Sequence, residues 1–457
     1  MDGASENKSI AELSEKESTT IQTLAPDILA EIFMLCVPID HYRLGNSMRV
    51  RTQAPLSLGR VCSRWRSVSI SSPIIWSRLA IVGSGAREVG CEKDLEATNL
   101  WISRSGSCPL SILLHYPPQC SNLSILSPII ESLIAQSWRW KDIRISVPSE
   151  LNSLILASFC TGQLPQLENF DFTVSDSGQP GKDSLSLKLS SAPRLQICRF
   201  SGKVGIHTNF DGQIHHVRNV NIMLDVGSAG MSLDDVLNLL THCPLLEELT
   251  FFVKQCSTSH QQGRPSIIEL SHLRHFSLAL PPGIDPGYLV DTLRLPALTH
   301  LHLYMGINVV PDYSTDWPHL RTMLARSLPP LQFLTLSSVP IVEATLMECL
   351  SYTPLLISLS LSGCSDSILE FLTMDENNPS GDACPYLETL KFDRPSHFSS
   401  RAMIAMILSR RPSTNDIEGG NGKMLKYVDG VFSRMDNTII SHRDIAKCIQ
   451  NGLKLDF

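Results

Sequence analysis

The chain has 457 residues, of which 38 are lysine or arginine and 45 are aspartate or glutamate, so its formal net charge is −7. Hydrophobic residues make up 43% and charged residues 18%, a composition too apolar for a disordered protein. The length is enough for about three ordinary cores or one elongated repeat array. The modest net acidity argues against nucleic-acid binding through overall charge.

The cysteines and the N-terminus indicate the cellular compartment. Thirteen cysteines are scattered through the sequence, without a Cys-x-x-Cys pair and odd in number. This usage is typical of reduced thiols that serve as small buried residues, so we expect a protein of the cytoplasm, the nucleus or both. Residues 1–20 lack the apolar run of a signal peptide, and we expect a disordered tail there. No apolar run of about 18 residues occurs, so we expect no membrane partner.

Residues 21–80 predict a small helical domain. Apolar residues recur at helical spacing in the segment PDILAEIFMLCVP, where Pro26 suits the first turn and Pro38 the end of the helix. A second helical pattern follows a polar insert, and its apolar positions are Leu58, Val61, Cys62 and Trp65. Ser72, as an N-cap before a proline, opens a third helical turn. Three short helices bury only a small core, so we expect a partner or the rest of the chain to stabilise them.

The three helical segments together resemble a known module. LAPDILAEIF from Leu24, PLSLGRVCSRWRSV from Pro55 and SPIIW from Ser72 resemble an F-box in the form common in mushroom-forming (basidiomycete) fungi. LWISRSGSCPL from Leu100 is similar to the segment that follows the F-box in those proteins, whereas Ala25 departs from the usual Leu-Pro start. The resemblance implies that this domain docks onto the Skp adaptor of a cullin-RING ubiquitin ligase and that the downstream domain presents a substrate.

Carried over by position, the resemblance implies a set of residues that form or support the adaptor-binding surface. They are Leu24, Pro26, Ile28, Leu29, Ile32, Leu56, Val61, Cys62, Trp65 and Trp76. The alternative interpretation is that these side chains are only the core of a small helical bundle. Amphipathic helices are common, so the order and spacing of all three segments carry the resemblance.

Charge is concentrated in the same domain. The segment from His41 to Arg78 holds seven arginines and no lysine, aspartate or glutamate, so it carries +7 and the rest of the chain carries −14. A solvated polar face accounts for such a segment, and an acidic partner surface would be drawn to it by electrostatic steering. No nucleic-acid-binding motif accompanies the arginines, so we expect no nucleic-acid partner.

A repeat fills most of the remaining sequence. The template Leu-x-x-Leu-x-Leu, with Phe, Val or Ile allowed, recurs from Leu167, Leu195, Val217, Leu246, Leu273, Leu298, Leu331, Leu356 and Leu387. The copies lie 22 to 33 residues apart, and WKDIRI at Trp140 is a further candidate. This period resembles that of leucine-rich repeats, although only the copy that ends at Cys364 completes the family pattern. An ordinary α/β domain with buried parallel strands is the competing fold.

We therefore predict an α/β solenoid. An irregular leucine-rich-repeat array spans residues 110–398, a linker and connecting helix span 81–109, and a C-terminal cap spans 399–457. In each repeat the aliphatic template positions face the core, and the alternating strand residues face outward. The candidate substrate-binding residues on that outward face are Arg199, Phe252, His275, His300, His302, Tyr304, Phe333 and Lys391. Aromatic residues on a polar strand face are plausible anchors for a bound protein, unless their rings fold over neighbours within the sheet.

The sequence carries no recognisable catalytic motif. His275, His300 and His302 form the one arrangement that resembles a metal site, but no cysteine or carboxylate supports it at zinc spacing. We expect no enzymatic activity, no catalytic residue, no metal and no cofactor. The predicted function is a substrate-recognition subunit of an SCF-type (Skp–cullin–F-box) ubiquitin ligase, which binds the Skp adaptor, through it the cullin, and an unknown protein substrate. A non-degradative scaffold or adaptor is the alternative, and a hydrolase or metal enzyme on an unrecognised α/β fold is a third possibility.

Overall fold

The computed structural model describes most of the chain. The described residues are 21, 23–38, 48, 50–83, 88–117, 123–161, 163–175, 185–202, 206–224, 231–255, 266–306, 316–375, 382–393, 398–411, 424–430 and 438–456. The predicted disordered tail, residues 1–20, lies outside them.

The described chain alternates helices and strands. The helices are α1 Pro26–Cys36, α2 Ser63–Ser71, α3 Glu88–Arg104, α4 Leu123–Ile134, α5 Asn152–Thr161, α6 Leu233–His242, α7 Gly287–Thr292, α8 His319–Ser327, α9 Glu343–Ser351, α10 Asp366–Leu372, α11 Ser400–Ser409, α12 Thr438–Ser441 and α13 Arg443–Gln450. Short 3₁₀ turns occupy Leu58–Arg60, Pro73–Trp76, Ser137–Arg139, Ser149–Leu151 and Leu189–Ser191. The strands are β1 Arg78–Val82, β2 Leu110–His115, β3 Trp140–Pro148, β4 Asn169–Ser175, β5 Leu185–Lys188, β6 Ile197–Gly202, β7 Ile206–Asn209, β8 Asn219–Leu224, β9 Met231–Ser232, β10 Glu248–Gln255, β11 Ile268–Glu269, β12 His275–Leu280, β13 Leu293–Arg294, β14 His300–Met305, β15 Phe333–Ser337, β16 Ser358–Leu361, β17 Thr389–Phe392, β18 Tyr427–Asp429 and β19 Lys454–Asp456. Within these segments no helix has both the length and the apolar character needed to cross a bilayer.

One parallel sheet runs through the described part of the chain. It holds fifteen described strands, in the order β1-β2-β3-β4-β6-β8-β10-β12-β14-β15-β16-β17-β18-β19, with β9 beside β10. Two further pairs, β5 with β7 and β11 with β13, form separate small sheets. The strands of the large sheet lie in the order in which they occur along the chain, because each connection returns the chain to the position beside the preceding strand. The predicted α/β class is confirmed as an open parallel sheet with helices, an arrangement compatible with a solenoid.

The repeat template locates the strands with a constant offset. In each of the nine predicted copies a strand starts two residues after the first template residue, as β12 starts two residues after Leu273. All nine first template residues have no exposed surface: Leu167, Leu195, Val217, Leu246, Leu273, Leu298, Leu331, Leu356 and Leu387. The strand residues then alternate between a buried inner face and an accessible face, as in β12. We call the accessible side of the large sheet the outer face.

The sheet extends beyond the predicted repeats at both ends. Strand β1 already pairs with β2, so the segment predicted as a linker, 81–109, holds the end of a sheet strand and helix α3. The backbone N–H of Met48 donates to the carbonyl of Ala80 at 2.8 Å, which covers part of the free edge of β1. At the other end, β18 and β19 continue the sheet inside the predicted cap, 399–457.

Tryptophans join the N-terminal helices to the sheet. The ring of Trp76 meets the ring of Trp101 edge-on, with centroids 4.8 Å apart, and its indole N–H donates to the carbonyl of Ser69 at 2.6 Å. The guanidinium of Arg104 lies 4.4 Å from the Trp76 ring centre on another side. Phe33 contacts Trp65 with ring centroids 4.8 Å apart. Because these residues belong to the same continuous core as the strands, the helices do not depend on their own small core alone.

Buried arginines join successive units of the array. Arg410, 2% exposed, donates from its three guanidinium nitrogens to the carbonyls of Leu372 at 2.7 Å, Cys384 at 2.8 Å and Ala383 at 2.7 Å. Leu372 ends α10, so the positive charge lies at the negative end of that helix. Arg139 binds the carbonyls of Ile102 and Cys108 in the same manner. These arginines satisfy carbonyl groups at the ends of α3 and α10 and in the segments that follow those helices.

Candidate functional site

The N-terminal helices present an apolar surface. Four of the ten residues that the F-box resemblance implies are exposed, Ile28 at 51% and Val61 at 60% most clearly, together with Pro26 and Cys62. Leu24, Ile32, Leu56 and Trp65 are half-buried. Leu29 and Trp76 are buried in the core, so they can only support a binding surface from beneath.

The helical period explains how α1 divides its apolar residues. Leu29 and Phe33, four residues apart, are both fully buried, whereas Ile28, Ile32 and Leu35 lie at i, i+4 and i+7 on a neighbouring side. Leu35 is 82% exposed and was not among the predicted residues, although its position seven residues after Ile28 could have identified it. The helix therefore carries one apolar stripe into the core and a second one toward solvent.

Further exposed apolar residues of this domain lie on α2 and the 3₁₀ turn that follows it. Ile70 is 44% exposed and Ile74 is 39% exposed. We use the name module patch for Ile28, Ile32, Leu35, Val61, Ile70 and Ile74, six of the exposed or half-buried apolar residues of this domain. Single exposed aliphatic residues are ordinary on protein surfaces, so it is their number on one small domain that makes these six candidates for a contact surface.

The arginines of this domain have different roles. A guanidinium nitrogen of Arg64 donates to the carbonyl of Leu24 and so joins α2 to the start of α1. Arg66 donates to the carbonyl of Gly59 at 2.7 Å but remains exposed, as do Arg51 and Arg60. Arg43 and Arg49 lie outside the described residues. The positive charge that the sequence concentrates here is thus presented to solvent by at least three described side chains.

All eight candidate substrate-binding residues lie on the outer face of the sheet. His302, Tyr304, Phe333 and Lys391 are exposed, and Arg199, Phe252, His275 and His300 are half-buried. The strand register aligns them in three rows across neighbouring strands. The first row contains Glu248, His275, His300 and Phe333, the second contains Arg199, His302 and Lys391, and the third contains Phe252 and Tyr304.

The first row is a continuous series of contacts. Nδ1 of His275 lies 3.3 Å from Oε1 of Glu248, and the His275 ring meets the His300 ring edge-on with centroids 4.2 Å apart. The His300 ring stacks on Phe333, with centroids 4.3 Å apart and planes 10° apart. Within the described residues, no group of three or more histidine, cysteine or acidic side chains is arranged to hold a metal ion. The imidazole rings pack against each other and against Phe333 instead of directing their nitrogens to one point.

Burial keeps the central imidazoles uncharged. Burial, and secondarily the neighbouring His275, lowers the pKa of His300, while Glu248 opposes this shift. Partial burial of the ring between its neighbours also lowers the pKa of His302, although the side chain is accessible at its edge, and a smaller effect of Asp393 opposes this shift. Both side chains are therefore neutral at pH 7 and present the outer face with polar but uncharged rings.

The two ends of the outer face are charged. Near the N-terminal end, Asp171 is the register partner of both Arg144 and Arg199. Burial raises the pKa of Asp171, although Arg199 and Arg144 oppose this shift. Near the C-terminal end, the ammonium of Lys391 lies 5.3 Å from the ring centre of Tyr427, whose hydroxyl donates to Asp456 at 2.7 Å. Arg199 and Lys391 thus have electrostatic partners within the sheet.

Comparisons with known proteins add no family to these observations. No protein-family model matches the chain, and a search of curated proteins finds no match.

Proposed function

We propose that the chain is the substrate-recognition subunit of an SCF-type ubiquitin ligase. In this proposal the N-terminal helices bind a Skp adaptor, which links the chain to a cullin, and the outer face of the sheet binds a protein substrate. The chain itself performs no covalent chemistry. It raises the effective concentration of a substrate lysine beside the charged conjugating enzyme by holding both in one complex.

The module patch is the observation that carries this proposal. Its most exposed members are Leu35, Val61 and Ile28, at 82%, 60% and 51%. Burying a side chain of this type contributes about 1.5–3 kcal/mol, so covering the exposed parts of these three supplies on the order of 3–5 kcal/mol. Micromolar affinity corresponds to about 8 kcal/mol, so the patch would supply a substantial part of it. The sequence resemblance to an F-box is the reason to propose the Skp adaptor as the partner that covers it.

The exposed arginines support an acidic partner surface. Arg51, Arg60 and Arg66 are exposed in the segment that also contains Val61. Exposed charges of one sign raise the association rate with an oppositely charged surface, and salt screens this effect. An acidic adaptor surface would therefore bind faster at low than at high ionic strength.

Binding of a purified Skp adaptor tests the proposal. The intact protein is expected to bind with a dissociation constant in the micromolar range or below. The double variant Ile28→Asp/Val61→Asp places two charges in the patch without touching the core, and we expect at least a 100-fold loss of affinity. Leu355→Asp is the matched control, since Leu355 is 44% exposed and lies far along the chain; its affinity should equal that of the intact protein. Failure of the intact, folded protein to bind the adaptor would refute the proposal.

A further inference from the structure

The central part of the outer face carries no formally charged residue. We call it the neutral strip and define it by the accessible outward residues of β12, β14, β15 and β16: His275, Ser277, Ala279, His300, His302, Tyr304, Phe333, Thr335, Ser358 and Ser360. The nearest charged residues in the same rows are Glu248 on β10 and Lys391 on β17. Charge is thus excluded from four consecutive strands and present on both sides of them.

We propose that the neutral strip binds an uncharged segment of a protein partner through a large apolar side chain, and that binding requires uncharged imidazoles, so that acidification releases the partner. This inference deepens the proposed function and rests on it where the partner is taken to be the substrate.

Tyr304 and Phe333 provide the apolar contact. They are 40% and 37% exposed, the largest exposures among the hydrophobic residues of the strip. The register partners of Tyr304 are the small residues Ala279 and Ser337, so its ring stands above its neighbours. Phe333 is held on one side by the His300 ring and has Ser358 as its partner on the other. Large rings beside small residues leave space for a side chain of the partner.

The floor beside these rings consists of hydroxyl side chains. Thr335 on β15, and Ser358 and Ser360 on β16, are the accessible residues between the aromatic rings and Lys391. Hydroxyl groups both donate and accept hydrogen bonds, so they can satisfy the backbone of a bound segment without requiring a charge on it. Short side chains also allow that backbone to approach the sheet closely.

The surrounding charges disfavour a charged occupant. An acidic segment would meet Glu248 at one side of the strip and Asp393, which influences His302 electrostatically, at the other. A basic segment would meet Arg274, exposed next to His275, and Lys391. Like charges placed close together cost affinity, and the strip itself contains no counter-charge. An uncharged segment meets neither penalty.

Protonation of the imidazoles would oppose such binding. His275 faces Glu248 on β10 and His300 on β14, while His300 faces His275 and Phe333. His302 has Ser277 and Thr335 as register partners and is also influenced by Asp393. A bound apolar side chain would remove water from the His300 and His302 rings and so favour their neutral form further. By linkage, each pKa unit of that additional shift weakens binding about tenfold once the pH is well below the pKa of the bound form.

A phage-displayed library of random dodecapeptides, selected on the purified full-length protein at pH 7.5, tests the proposal. Recovered peptides should be rich in Leu, Phe, Tyr or Trp and poor in charged residues. A synthetic peptide of the recovered sequence should bind more weakly at pH 5.5 than at pH 7.5. Tyr304→Ser/Phe333→Ser should lose at least tenfold in affinity at pH 7.5, whereas Trp138→Ala, a matched exposed aromatic off the strip, should lose none.

A second variant tests the role of the imidazoles. In His300→Gln/His302→Gln the peptide should still bind at pH 7.5, and the difference between the two pH values should disappear. The inference is overturned by any one of three results. These are recovery of acidic or basic peptides, an affinity that does not depend on Tyr304 and Phe333, and a pH dependence that persists in the glutamine variant. Adaptor binding measured on the same preparations separates the two proposals. Peptide binding without adaptor binding refutes only the ligase assignment, and adaptor binding without the expected peptides refutes only the strip.

Discussion

The junction between the N-terminal helices and the sheet yields a quantitative expectation. Trp101 on α3 is 4% exposed and contacts Trp76, which ends the last turn of the helical domain. In Trp101→Ala the partner ring and the Arg104 guanidinium above it lose their support. Truncation of a buried tryptophan costs about 3–5 kcal/mol, because the apolar contact is lost and a cavity remains.

This loss of stability should affect the helical domain and leave the stability of the distant strands unchanged. In a repeat array each unit contacts its neighbours, so a defect at one end need not spread to the other. We therefore expect hydrogen exchange of α1 and α2 to accelerate by about two to three orders of magnitude, since about 1.4 kcal/mol corresponds to a factor of ten. Exchange in β14 to β16 should be unchanged. Trp101→Phe, which retains a ring, should show a much smaller acceleration.

Hydrogen exchange followed by mass spectrometry provides the measurement. Equal acceleration along the whole chain would show that the helices and the sheet unfold as one unit. Unchanged exchange in α1 and α2 would show that the tryptophan contact does not hold the domain in place. Either result would refute the role assigned to this junction.

Two further expectations concern stability. Arg410→Met leaves the carbonyls of Leu372, Ala383 and Cys384 without their donor. Buried unsatisfied groups cost about 1–3 kcal/mol each, so the midpoint of urea unfolding should fall clearly in this variant and less in Arg410→Lys. Equal stability of the unchanged protein and the two variants would contradict this role. Burial lowers the pKa of His215 in the folded protein. At a pH between the pKa values of the folded and the unfolded state, the unfolded chain binds more protons, so stability falls as the pH drops below about 6.5. Urea titrations from pH 7.5 to 5 should show this fall, with a smaller slope in His215→Gln; an unchanged slope would contradict the assignment.

Much of the sheet could be predicted because the template and the strand obey the same period. The fourth and sixth template positions are two residues apart and become inward strand positions, so nine copies of the template give nine strands with one offset. The template missed β1, where Trp76, Leu79 and Ile81 fill its three positions, because tryptophan was not among the allowed residues. It also missed β18, where Leu425 and Val428 fit but Gly430 occupies the third position. Strands that pair with the array can therefore deviate from the template at either end.

The sites were less predictable than the sheet. Sequence places Ile28 and Leu29 side by side on an apolar helix, and only the packing of α1 decides that Leu29 is buried while Ile28 is exposed. The exposure of Leu35 follows from the same packing. Arg64 could not be separated from its exposed neighbours by sequence, because its contact with Leu24 joins residues 40 positions apart. Burial and long-range contacts, rather than residue type, decide these roles.

The in-register parallel ladder explains how this chain can form a binding surface from distant residues. His275, His300 and Phe333 are 25 and 33 positions apart in sequence, yet each occupies the same template position and the ladder places them in contact. A substitution at an outward position of one repeat thus changes one member of a row on the outer face. It leaves the core unchanged, because the core is formed by the inward positions of the same strand. Such a surface can acquire a new partner while the leucines keep the fold. The module patch lies outside this ladder, so substitutions in one of the two surfaces leave the other unchanged.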